Sequence, residues 1–104
     1  MAGNRRLLLD AELRTLLNST NVYFQPPKNT MLHYPCIIYY KTRIDSRYAD
    51  NKVYKAVDRY TIQYITKNPD DPFPMTLMHH FEGINSDRDY VSDNLHHYNF
   101  NLNY

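Results

Sequence analysis

Two segments of the chain alternate strictly between apolar and polar residues, and this restricts the fold more than any other feature. In "RYTIQYITK", Tyr60, Ile62 and Tyr64 fall on one side, and Arg59, Thr61 and Gln63 on the other. In "HHYNFNLNY", Tyr98, Phe100, Leu102 and Tyr104 oppose a row of His97, Asn99, Asn101 and Asn103. Successive side chains of a strand point to opposite faces. Each segment is therefore expected to be a half-buried antiparallel strand, with a second face that is wet or meets a partner. "CIIYYKTRI" (36–44) differs, because its continuous apolar start suits a strand covered on both sides.

Helical spacing occurs elsewhere. Leu9, Leu13, Leu16 and Leu17 share one face over about 5–18, with Leu7 and Leu8 off that stripe. Pro26 and Pro27 then enforce an extended, non-helical connection. A second, short helix is expected over about 74–82, with Pro74 at its start, Leu77, Met78 and Phe81 on its apolar face, and Gly83 ending it. The strand-rich stretch runs over 35–67, and further strands over 84–104. Between the first two strands lies "RYADNKVY" (47–54), whose Asp50 and Asn51 favour a tight turn and so a hairpin. The order predicts a single α+β domain over 1–104, a mostly antiparallel sheet with both helices packed on one face.

Composition narrows the function. Twelve basic and eleven acidic residues are intermixed for a net charge of +1, which leaves no basic stripe for nucleic acid. Cys36 is the only cysteine, so no internal disulfide forms and a reducing compartment is expected. Asp10, Glu12 and Arg14 interrupt the first apolar run too early for a secretory signal, and no run is long enough to span a bilayer. A soluble protein made in the cytoplasm is the expectation. Eleven Tyr and no Trp suit either half-buried strands or protein interfaces.

The search for chemistry finds little. His79 and His80 on a helix point about 100° apart, and His96 and His97 on a strand point to opposite faces, so neither pair chelates alone. A metal-binding protein or enzyme would need both pairs to converge, with Asp87, Asp89 or Asp93 beside them. Those three Asp resemble part of a calcium loop but lack its central Gly and bidentate Glu. Cys36 sits in an apolar run, where a buried, inert thiol is expected. Gly3 and Gly83 are too few to build a phosphate-cradling loop. No catalytic residue, metal site or cofactor is assigned, and the chain is read as a non-enzyme. Surface recognition through Tyr48, Tyr54, Tyr90, Tyr98 and Tyr104 remains.

Taken together, "YPCIIYYKT", "RYADNKVYKAVDRYTIQYITKNPDDPF" and "DRDYVSDNLHHYNFNLNY" resemble the tail-terminator proteins, small neck and tail-completion proteins of long-tailed bacteriophages of Gram-positive hosts. The shared pattern is a "YPxIxY" strand, a "YADNKxY" segment, a "YTIxxI" strand with an Asp-Pro turn, and a terminal "DNLxHxxFxLxY" strand. It covers about residues 34–104, and Cys36 and the paired His depart from it. The resemblance implies an antiparallel sheet flanked by helices and assembled as a ring, usually a hexamer, at the virion neck. Such a ring caps the tail tube, ends its polymerisation, and joins the tail to the head connector. The implied partners are further copies of the chain, the major tail tube protein and the head-completion protein, with DNA passing through the channel without specific binding. A head-closure (stopper) or adaptor protein of the same neck is the alternative. Tyr48, Asp50, Asn51, Lys52, Tyr54, Asp93, Asn94 and Tyr98 are the expected subunit or ring contacts.

Overall fold

The computed structural model describes residues 5–49 and 52–104, with side chains described outside 45–49 and 52–56. Helix α1 (Arg5–Leu17) is followed by β1 (Val22–Phe24), β2 (Cys36–Ala49), β3 (Lys52–Thr66), α2 (Phe73–His80), β4 (Asn85–Ser92) and β5 (Leu95–Asn103). The sheet order is β1-β2-β3-β5-β4, antiparallel throughout except for the β1 and β2 pair. This is the expected α+β architecture.

Register assigns the two faces. Ile37 and Tyr39 of β2 align with Tyr64 and Ile62 of β3, which align in turn with Tyr98 and Phe100 of β5. On this face Leu9 and Leu13 of α1 and Phe73 and Leu77 of α2 complete one core with Tyr39, Tyr60, Ile62, Tyr64, Phe100 and Leu102. Both helices therefore cover the same side of the sheet. Each fully buried aliphatic side chain contributes about 2 kcal/mol. Leu7 and Leu8 lie off the apolar stripe and stay exposed. On the reverse face Cys36, Ile38 and Ile65 form a small second cluster under Tyr23, Leu32, Tyr34 and Leu95. The start of β2 is thus buried on both sides, as its unbroken apolar run requires.

Several boundaries have local causes. Asn18, at φ 55°, closes α1: its N–H donates to the Thr15 carbonyl and that of Ser19 to the Arg14 carbonyl. That pair of bonds is the Schellman ending, with Asn in the left-handed position that Gly usually takes. Asp93 and Asn94, at φ 53° and 64°, form a two-residue turn between β4 and β5, matching the twist of a tight hairpin.

Two expectations need correction. Residues 22–24 are not a plain connection but a short parallel strand on β2, a pairing that "VYF" alone does not reveal. Helix α2 ends at His80 rather than at Gly83, because Phe81 turns extended and buries its ring in the core. Gly83, at φ 79°, serves the following turn into β4.

Hydroxyls of core tyrosines fix the helices on the sheet. Tyr39 donates to Asp10 of α1 at 2.5 Å, and Asp10 also binds Arg14. Tyr64 donates to Asp71 at 2.6 Å, and Asp71 accepts the Phe73 N–H at 2.9 Å at the start of α2. Tyr104, at the end of the chain, donates to Glu12. Tyr60 is equally buried, but its hydroxyl makes no hydrogen bond of good geometry, with only a weak one toward Asp58. Burial pushes the Tyr39 hydroxyl up to about 12, with Asp10 adding to the shift. Burial likewise raises Tyr60, with the Asp58 charge adding to it.

A buried hydroxyl without a partner costs stability, whereas one bonded to a carboxylate contributes. Tyr60→Phe should therefore raise the free energy of unfolding by about 1 kcal/mol, and Tyr64→Phe should lower it by about 2 kcal/mol. Urea denaturation at one protein concentration reads both. The reverse order would contradict this assignment.

Candidate functional site

The β2 and β3 strands outrun the rest of the sheet. β1 reaches β2 only at residues 37–39, and β5 pairs with β3 only over 59–66. Beyond that, among the described residues, 44–49 and 52–58 have no strand neighbour but each other, as a two-stranded arm. At about 3.3 Å per residue the arm extends roughly 20 Å past the core. The molecule measures 51 × 24 × 23 Å accordingly. Its radius of gyration is 14.8 Å, against about 13 Å for a compact chain of this length.

The arm's base is built in detail. Gln25, at φ 45°, ends β1, and its side-chain oxygen accepts the Lys41 N–H at 3.2 Å, closing the β2 edge there. Thr42 is an extra residue in β2, and its hydroxyl donates to the Arg59 carbonyl at 3.0 Å. Lys41 pairs with Asp58 across the strands at 3.4 Å. At the end of the chain, the Tyr104 N–H donates to the Asp58 carbonyl at 3.0 Å.

The expected contact residues fall in three places. Tyr48, Lys52 and Tyr54 lie on the arm, with Tyr54 the extra residue of a second bulge. Asp50 and Asn51 lie outside the described residues. Asp93 and Asn94 make the β4–β5 turn, and Tyr98 is far from the arm, on the helix-covered face. The six described residues therefore do not form one patch.

Tyr98 instead borders an open groove of about 380 Å³ between α2 and the end of the sheet. Met75, Met78 and Phe100 give it an apolar floor, and Asp71 and Asp89 stand on its rim. Tertiary structure alone assembles this groove, so no local pattern announces it.

The reverse face is polar and cross-linked. Thr61 donates to Asn101 at 3.1 Å, and Gln63 to the Tyr90 hydroxyl at 3.1 Å. Tyr90 and His97 stack with ring centroids 4.6 Å apart, and the Arg88 guanidinium lies 5.3 Å from the Tyr90 ring centre. The alternating row of Asn in β5 predicts this wet face, whereas the Tyr90 stack needs the β4 register.

The paired histidines separate. His80 contacts Glu12 at 3.1 Å, while His97 lies on the polar sheet face. Among the described residues no three His, Cys, Asp or Glu come together as a metal set. Cys36 is fully buried, and burial pushes its thiol up to about 11. Among the described residues no helix is long and apolar enough to cross a membrane. Compared with known proteins, the chain matches no family model, no curated protein and no solved structure.

Charge at these surfaces responds to acid. Burial lowers the His97 value, outweighing the pull of Asp93 in the other direction. Burial raises Asp71, but hydrogen bonds from Tyr64, the Phe73 N–H and Thr66 prevail and hold it low. Glu12 is lowered first by Tyr104, against an opposing effect of burial, and further by His80. In each case the unfolded chain binds protons at higher pH than the folded one, so stability is full above the unfolded value and falls with acid. Melting temperature should decline from just below the ordinary imidazole value, then more steeply through the carboxylate range. His97→Gln should remove the first decline and keep the second. A flat profile between pH 7 and 4 would contradict these shifts.

Proposed function

We propose that this chain is a structural ring protein of a phage neck, capping the tail tube and joining it to the head connector. The observation that carries this reading is the projecting arm. An isolated two-stranded ribbon is marginal in water, and its strands persist best when a further surface covers them. A neighbouring copy supplies that surface, and contacts of unlike surfaces repeated head to tail close into a ring. The strand motifs that resemble tail terminators support the same reading, since residues 47–49 and 52–54 of "RYADNKVY" lie on the outer part of this arm.

The polar sheet face fits the passage of DNA. Retaining a phosphate backbone depends on cations, and the stretch of Thr61, Gln63, Asn99 and Asn101 is uncharged, with Arg59 at the end of the same row. This is the surface proposed to border the channel, with neighbours, tube protein and connector meeting the remaining sides. The neck of the virion is the proposed location, with synthesis in the host cytoplasm.

Native mass spectrometry and electron microscopy of the purified protein test the reading. A ring, six copies being expected, that labels the head-proximal end of the tail would support it. A ring on the head side of the junction would assign the head-closure role instead. A strict monomer that is absent from virions would overturn the proposal.

A further inference from the structure

The far half of the arm and the outer edge of β4 are two open sheet margins with complementary character. Past the Gln25 cap, β2 pairs only with β3 over residues 43–49. At the other margin all eight residues of β4 are exposed, and the strand pairs only with β5. Among the described residues, neither outer row of backbone groups meets another strand. An open row of N–H and C=O groups is a template for a further strand.

The two margins carry opposite charge. Over 43–49 and 52–58 the arm holds Arg43, Arg47, Lys52 and Lys55 against Asp45 and Asp58. Residues 85–94 hold Asp87, Asp89 and Asp93 against Arg88 alone. Each margin also exposes a β-branched apolar side chain, Ile44 on the arm and Val91 on β4. Charges and a bulge between Ser86 and Asp89 protect the β4 edge from chance pairing. A cationic strand is the neighbour that such an edge admits.

We propose that the β2 edge of one copy's arm adds as a sixth strand to β4 of the next copy, with the regular pairing centred on residues 89–92. Two different surfaces meet, so an open chain of copies keeps one free arm at one end and one free β4 at the other until the ring closes. The choice of a second copy as occupant rests on the ring reading above. The charge match is independent of that reading. The contact also gives the arm the third strand that it lacks within the chain.

Mixing unlabelled and ¹⁵N-labelled protein before zero-length carbodiimide coupling tests the contact. Peptide pairs of mixed label should join Lys52 or Lys55 to Asp87, Asp89 or Asp93. Reversing charge on one margin, by Asp87→Lys with Asp89→Lys, should weaken assembly at least about tenfold. Combining it with Lys52→Glu and Lys55→Glu should restore most of that loss. The substituted β4 positions are exposed, and the coupling map of the unaltered protein needs no variant at all. A ring whose mixed-label pairs join other segments would overturn this pairing and leave the ring standing. A protein that stays monomeric would overturn both.

Discussion

Strand β3 is fifteen residues long, yet it has neighbours on both sides only over 59–66. That mismatch ties together the two parts of the molecule. Over the doubly paired half, Tyr60, Ile62 and Tyr64 carry the core against which both helices pack. Over the other half the same strand runs into the arm, where, among the described residues, β2 is the one strand it pairs with. Because one strand serves both, a contact at the arm is joined to the core through β3 itself.

The core is polar at its margins, and this positions the helices. Asp10, Glu12 and Asp71 each accept a tyrosine hydroxyl, so helix α1, the chain end and the start of α2 are held by directed bonds as well as by apolar burial. Hydrophobic burial alone is non-directional and would tolerate sliding of a helix along the sheet. Buried hydroxyls tolerate much less, since displacement leaves them unpaired. Tyr60 is the exception, with its hydroxyl left without a bond of good geometry.

Much of this architecture was legible in the sequence, for identifiable reasons. Period-two alternation assigned the faces of β3 and β5, and the leucine spacing assigned the buried side of α1. Both patterns are local and survive without knowledge of the partner segment. The parallel pairing of β1, the Tyr90 and His97 stack and the groove under Met75 and Met78 depend on residues far apart in sequence. Tyrosine along the sequence points to half-buried surfaces and interfaces, whereas Tyr39, Tyr60 and Tyr64 lie at the centre of the core. Carboxylates on neighbouring elements make that possible for Tyr39 and Tyr64, and no pattern along the chain reveals those partners. The expected contact residues scatter for a similar reason. Asp93 and Asn94 serve a turn, and Tyr98 packs on the helix side of the sheet.

The proposed ring depends on the arm of one copy finding its third strand in another. Amide hydrogen exchange, followed above and below the concentration of assembly, measures this directly. Amides of residues 60–66 should be slow in both states. Those of 43–49 and 85–92 should exchange quickly in the dilute protein and become protected together on assembly. Arm amides as slow as the core in the dissociated protein, or quick in both states, would contradict it.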